Sequence, residues 1–349
     1  MKRMATIDTS PHTILAFCSP LYEDVALNEL GTLLGARVLR KLSAGVFLLT
    51  VSHSPLDIQQ RMLATPAVFT RQLLVDVETL PRSGLPAEDA RAVLARPGVG
   101  STPDVLVSDL AGRHPHDVVS LKQELTTAST PPTVRLDNGA EVEDEARLPF
   151  AVVVGEGHIY VGRVVAGAGL PHAPAWPAGR PDFPFDPELV SRSALKLLEA
   201  LQLFDVNIGP AARALDLGAA PGGWSQVLAA RGIEVTAVDP GLLDPRVASR
   251  PNVSVYAGTA QSFLRQTDER FDLIVNDMRL DSRESARILV DAVNVLRPQG
   301  VAIITLKLPE HAPTAILRQA LEVLRRGFPV LQARCLYFNR NEVTVLARR

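Results

Sequence analysis

The chain runs to 349 residues, 46% of them hydrophobic, which is long enough for two or three domains that each bury an apolar interior. No apolar run approaches the roughly 20 residues that span a bilayer, and the short stretch near the start is broken by Pro11, so neither a membrane helix nor a signal peptide is expected and the protein reads as cytoplasmic. A net charge of −2 excludes a broadly basic nucleic-acid binder, although a local basic face on a near-neutral protein still binds phosphates.

The N-terminal part opens with a strand-like run, HTILAFCSP, then an amphipathic helix pattern, LYEDVALNELGTLLG, then two β-rich runs in ARVLRKLSAGVFLLTV broken at Ser43-Ala44-Gly45. From about Gln72 to Gly167 the strand-like runs VLVSDL, AVVVGEG and HIYVGRVV follow, with one helical stretch among them. The last two flank Gly155-Glu156-Gly157 and predict a hairpin. Nothing in this α+β half has the spacing of a catalytic site, so it reads as an accessory region. Residues 171–187, PHAPAWPAGRPDFPFDP, carry six of the 27 prolines. They predict a semi-rigid linker, because proline lacks the N–H that helix interiors and central strands need.

Beyond the linker, helices alternate with short, fully apolar strands. The order is helix SRSALKLLEALQLF, strand ARALDLG, helix GGWSQVLAARG, strands EVTAVDP and VSVYAG, helix SFLRQT, strand FDLIVND, helix SARILVDAVNVLR, strand GVAIITLKL, a helix from Pro313 to about Arg326, and two closing strand-like runs. This is the pattern of an α/β, Rossmann-like parallel sheet covered on both faces, with a C-terminal antiparallel pair. Cys18 and Cys335 lie at opposite ends and form no C-x-x-C pair, so no disulfide framework, zinc site or metal requirement is expected.

Open α/β sheets bind ligands at the carboxyl ends of their strands. The first strand there ends in Leu215-Asp216-Leu217-Gly218-Ala219-Ala220-Pro221-Gly222-Gly223-Trp224. Glycines at such a turn let the backbone approach a ligand. Ala220 stands where a dinucleotide motif has its second glycine, which disfavours a pyrophosphate. Asp239, ending the next strand 21 residues beyond Gly218, is placed to accept hydrogen bonds from the ribose hydroxyls of an adenosine. A nucleoside without a diphosphate fits best, which is S-adenosylmethionine.

The run DLGAAPGGWSQ resembles the cofactor motif of the FtsJ-type RNA 2′-O-ribose methyltransferases. The resemblance implies that Gly218, Ala219, Ala220, Pro221, Gly222, Gly223 and Trp224 surround the methionine part, that Asp239 holds the ribose, and that Ser191 also lies at the cofactor. It further implies that Gln261 in AGTAQSF replaces an adenine-contacting Asp. Enzymes of this type use a Lys-Asp-Lys-Glu tetrad, and its members have counterparts in Lys196, Asp277, Lys307 and Glu342, with Lys307 as general base, Asp277 positioning it and contacting the cofactor, and Lys196 and Glu342 orienting it and contacting substrate. A ribose hydroxyl is a very weak acid and needs such a base, and a lysine serves if burial or neighbouring cations keep it partly neutral. Residue usage supports the assignment. Of 36 basic residues only five are lysine, and from residue 188 onward only Lys196 and Lys307 are, whereas arginine does not deprotonate in proteins.

Met278-Arg279 replaces the Met-Ala-Pro turn of the wider family and agrees with the bacterial 23S ribosomal RNA 2′-O-methyltransferase M family. So do LKLP at 306–309, the SRS-x-LKL run and the Trp-Pro linker. That resemblance implies a ferredoxin-like domain at 1–70, a THUMP-like RNA-binding domain at 71–168, a linker at 169–187, a methyltransferase domain at 188–349, and a cytidine of 23S ribosomal RNA as target. Transfer RNA or another RNA as substrate, a small-molecule methyltransferase, and a non-catalytic RNA-binding or assembly protein stay open at this point.

Overall fold

A computed structural model describes residues 11–99, 105–110, 112–128, 149–165, 169–170, 173–184 and 186–349. Residues 1–10 of the segment read for a signal peptide, and Pro171, His172 and Phe185 of the proline-rich stretch, lie outside them. The chain divides into two units, Met1–Pro181 and Asp182–Arg349.

The first unit begins β1 (His12–Cys18), α1 (Glu23–Leu34), β2 (Arg37–Ser43), β3 (Val46–Val51), α2 (Pro55–Ala64) and β4 (Thr70–Pro81). It continues α3 (Pro86–Leu94), β5 (Val105–Asp109), α4 (Pro115–Ala128), β6 (Phe150–Val154) and β7 (His158–Val165). The ends of α1 and α2 follow local chemistry. Gly35 closes α1 in the left-handed conformation, and the Ser54 side chain caps α2 by accepting from the Asp57 N–H. Two helices stand where one was expected between Gln72 and Gly167. The period of α3 is interrupted by a buried acid, Asp89, which accepts from the Ser83 N–H and hydroxyl.

Among the described residues the strands form one sheet in the order β2-β3-β1-β4-β7-β6-β5, antiparallel except for β5 beside β6. The 70/71 boundary expected from the sequence falls at the start of β4, which pairs with β1 on one side and β7 on the other. The ladder of β4 shifts register between Val75 and Glu78, where Asp76 takes a φ of 51°. Such bulges bend a strand. The bend lets the sheet wrap round the apolar cluster of Leu15, Leu74, Val153 and Tyr160. Its far edges then meet, the Ser43 hydroxyl at the end of β2 donating to the Leu110 carbonyl just past β5 at 3.1 Å. The other face is covered by α3 and α4 through Val93, Leu121 and Leu125.

The second unit runs α5 (Ala194–Leu203), β8 (Arg213–Leu217), α6 (Gly223–Ala229), β9 (Glu234–Asp239), α7 (Pro245–Ala248), β10 (Val253–Ala257) and α8 (Ala260–Leu264). It ends β11 (Phe271–Asn276), α9 (Ser282–Asp291), β12 (Leu296–Lys307), α10 (Pro313–Leu324), β13 (Val330–Arg334) and β14 (Glu342–Arg348). The sheet order is β10-β9-β8-β11-β12-β14-β13, with β14 antiparallel to both its neighbours. The mixed α/β, Rossmann-like architecture read from the alternation of elements is present. Strand order reverses at β8, between β9 and β11, which is where such sheets open a crevice at their carboxyl ends. The aliphatic cores of β8, β11 and β12, including Leu215, Ile274, Val275, Ile303 and Ile304, are fully buried.

Candidate active site

The crevice opens above the ends of β8, β9, β11 and β12. After β8 the chain turns through Gly218 (φ 80°) and Gly222 (φ 116°), conformations that disfavour residues with a Cβ. A Cβ on Gly218 would lie 2.5 Å from Met278 Cγ, so this turn is pressed against the one after β11. The Met278 N–H donates to the Asn276 side-chain carbonyl at 3.1 Å, and the Ser285 hydroxyl donates to the same oxygen at 3.2 Å. Asn276, wholly buried, thus sets the Met278-Arg279 turn that the wider family builds with a proline.

Asp239 ends β9 and is fixed by backbone donors, the Ala220 N–H to Oδ2 at 3.1 Å and the Gly241 N–H to Oδ1 at 2.6 Å. A carboxylate offers about four acceptor sites, so capacity for two hydroxyls remains. Asp216, buried in β8, accepts from the Ser225 hydroxyl at 2.7 Å. Burial raises its carboxyl to about 7, and the nearby charges of Asp277 and Asp239 push the same way.

Trp224 is buried, and its indole N–H donates to the Ser193 carbonyl at 2.8 Å. The structure therefore gives it a role in seating the chain before α5. Gln226 adds to this, accepting from the Val190 N–H at 3.0 Å and donating to the Glu188 carbonyl at 2.8 Å. Ser191 and Ser193 share a hydroxyl contact at 3.0 Å over Gly223, where a Cβ would lie 2.8 Å from Ser193 Oγ and 2.9 Å from Ser191 Cβ. Ala219, Gly222 and Gly223 are buried, Pro221 is exposed, and Gln261 is exposed in the first turn of α8.

Lys196, Asp277, Lys307 and Glu342 come together although they are far apart in sequence. Lys196 Nζ lies 3.2 and 3.1 Å from the two oxygens of Asp277 and 2.7 Å from Glu342 Oε1. Lys307 Nζ donates to Asp277 Oδ1 at 2.9 Å and to Glu342 Oε2. Two cations and two carboxylates alternate in a closed ring that is neutral overall. Lys307 is the most open of the four, its side chain 24% exposed against 13% for Lys196, 15% for Asp277 and 5% for Glu342, so it is the member an incoming group reaches. Burial works against charge on Asp277, but Lys196 and Lys307 outweigh it and hold the carboxyl below its usual range. Burial likewise disfavours the Lys307 ammonium, yet Asp277 and Glu342 hold its pKa above that of an ordinary lysine. The resting protein does not keep this lysine partly neutral, contrary to the sequence expectation, because its two carboxylate partners count for more than burial.

Two further residues shape the site and left no sequence signal. Thr305, fully buried on the same face of β12 as Lys307, donates its hydroxyl to Asp277 Oδ1. Glu199, one turn beyond Lys196 on α5 and also buried, accepts the Tyr337 N–H at 2.7 Å and the Phe338 N–H at 3.0 Å, tying α5 to the loop that leads into Glu342. No group of residues suited to hold a metal ion is found among the described residues.

The FtsJ-like methyltransferase family profile matches residues 189–312, a span that holds the glycine turn, Asp239, Asp277 and both lysines. The C-terminal unit carries an FtsJ-like methyltransferase domain. The chain is also similar to proteins named ribosomal RNA large subunit methyltransferase M. The one from Halorhodospira halophila is 38% identical over 185 residues, 52% of this chain and 54% of the relative. That of Xanthomonas euvesicatoria pv. vesicatoria is 35% identical over 195 residues, 53% and 55% of the two chains. A third, from Hahella chejuensis, is 26% identical over 371 aligned residues, 96% and 89%. The chain thus spans about half the length of the first two relatives and 89% of the third at lower identity.

Proposed function

We propose that this chain transfers the methyl group of S-adenosylmethionine to a ribose 2′-hydroxyl of RNA, the target being a cytidine of 23S ribosomal RNA in the cytoplasm. The observation that carries the reading is the closed Lys196-Asp277-Lys307-Glu342 ring set beside the glycine turn and Asp239. The names of the similar proteins support ribosomal RNA as the substrate.

The residues present fit the cofactor. Asp239 keeps acceptor capacity for the ribose hydroxyls, and the Gly218 to Gly222 turn beside it takes positive-φ conformations suited to glycine. Bound S-adenosylmethionine supplies an electrophilic methyl on a sulfonium, whose positive charge opposes that on Lys307. Lys307 first gives up a proton to solvent and then takes the proton of the 2′-hydroxyl as that oxygen forms its bond to the methyl carbon. With the cofactor bound, the methyl would leave sulfur and the electron pair of the broken bond would stay there, which balances the transfer. Asp277 and Glu342 steady Lys307 as it regains its charge, and Lys196 balances them.

For the first unit the proposal is RNA binding, with a ferredoxin-like arrangement over 1–70, a THUMP-like one over 71–168 and a linker at 169–187. Its β-α-β-β-α-β start, which runs on through β4 to Pro81, supports a ferredoxin-like arrangement. A cavity of about 530 Å³ where the sheet edges meet supports the binding role, since Arg40, Arg113, His114 and His158 line it around Tyr160. Among the described residues neither Arg40 nor Arg113 forms a salt bridge.

The deciding experiment is transfer of labelled methyl to unmodified 23S ribosomal RNA by wild type and Lys307→Ala, with mapping of the modified ribose. Label on a 2′-oxygen that the variant fails to deliver, while it still binds cofactor, supports the reading; an unlabelled RNA with wild type refutes it.

A further inference from the structure

An ammonium has three hydrogens to donate, and Lys307 has three acceptors around it: Asp277 Oδ1 at 2.9 Å, Glu342 Oε2, and Thr305 Oγ1 at 3.4 Å. The first two belong to the ionic ring. The third belongs to a neutral residue two positions back on β12, whose side chain lies on the same face of the strand and is wholly inaccessible to solvent. A threonine hydroxyl has one hydrogen, and Thr305 gives it to Asp277 Oδ1, the oxygen that also takes Lys307. Its lone pairs are then left to face the lysine. Lys307, Thr305 and Asp277 Oδ1 form a closed triangle inside the larger ring.

We propose that Thr305 is a positioning residue for methyl transfer, holding Asp277 and Lys307 in mutual register and damping the charge that Asp277 presents to Lys307. This rests on the reading of Lys307 as base. Both Thr305 contacts are charge-assisted, and the one to the carboxylate is the stronger because the contact with Lys307 is long, at 3.4 Å. Without the hydroxyl, Asp277 Oδ1 turns its full charge on the ammonium, and Lys307 holds its proton more tightly. The other ionisable groups that bear on Lys307 are Glu342 on β14 and, through the shared carboxylates, Lys196 on α5; Asp216 on β8 acts on Asp277. From α9 the Ser282 hydroxyl donates to the Lys307 carbonyl at 2.5 Å, which fixes the backbone and carries no charge. All of these persist when Thr305 is changed.

The test compares wild type, Thr305→Val and Thr305→Ser in the full chain. Competitive acetylation with acetic anhydride across pH 8 to 12, read at Lys307 by peptide mass spectrometry, reports its ionisation whether or not the protein is active. The midpoint is expected to rise by about half a pH unit in Thr305→Val and to return in Thr305→Ser. The low-pH limb of kcat/KM for methyl transfer to a 23S ribosomal RNA transcript is expected to move by the same amount. Coincident midpoints in wild type and Thr305→Val overturn the proposal, as does a midpoint in Thr305→Ser that stays with the valine variant. If the midpoint moves while wild type methylates no RNA, the hold of Thr305 on the ring stands and the proposed reaction falls.

Discussion

Lys307 and Glu342 face each other as register partners at the end of the β12–β14 ladder, one the last residue of its strand and the other the first. Directly opposed side chains on one sheet face lie within about 5.5 Å at Cβ, so the ladder itself brings this base and acid together. Because both carboxylates of the ring favour the charged amine, methyl transfer is expected to climb about tenfold per pH unit from 6.5 to 8.5 with no plateau. Lys307→Arg keeps the charge but cannot act as a base, and is expected to lose at least about 100-fold in kcat. A flat profile in that range argues against Lys307 as the proton acceptor.

Asp216 makes stability depend on pH in the opposite sense to a salt-bridged carboxylate. Its folded pKa, raised to about 7, exceeds the unfolded value, so its contribution is fully favourable below about pH 4 and is lost as pH rises through 7. Asp216→Asn cannot ionise. The stability of wild type minus that of this variant is therefore expected to fall between pH 4 and pH 7 by at most roughly 4 kcal/mol. Urea unfolding of both proteins at several pH values checks it, and parallel curves exclude the raised pKa.

Glu199→Gln replaces an anion that accepts two backbone N–H groups by a neutral acceptor with only one oxygen. One of the Tyr337 and Phe338 amides then loses its partner inside the protein, at a cost of about 1–3 kcal/mol. A lower unfolding temperature is expected, together with faster hydrogen exchange at those two amides; unchanged exchange contradicts the clamp.

Charge reversal at the cavity of the first unit, Arg40→Glu with Arg113→Glu, is expected to weaken binding of single-stranded RNA and to flatten its dependence on salt, each lost phosphate contact lowering the slope of log K against log salt by about 0.7. Fluorescence anisotropy at several salt concentrations measures both quantities. An unaltered slope removes this cavity from the RNA path.

The second unit was largely legible because its signals are local. Short apolar strands alternate with helices, glycines cluster at one turn, and two lysines stand out in an arginine-rich chain. What could not be read depends on distance along the chain. Thr305 looks like any β-branched strand residue until β11 places Asp277 beside it, and Glu199 contacts amides 138 and 139 residues away. Trp224 sits within a cofactor-like motif, yet its indole N–H is spent on Ser193, a partner that only the packing of α5 on α6 supplies. In the first unit the strands of the hairpin were plain, whereas β4, shared by both halves of the sheet, carries no mark of its two neighbours.

The missing Cβ of Gly223 reaches beyond local fit. Ser191 and Ser193 occupy the space a methyl group would fill, so the start of α6 and the lead into α5 are in direct contact. The glycine turn and the lead into α5, the helix that carries Lys196, therefore pack with no side chain of residue 223 between them. A methyl at position 223 would press on both serines, so the close approach of these two segments depends on a residue without a side chain.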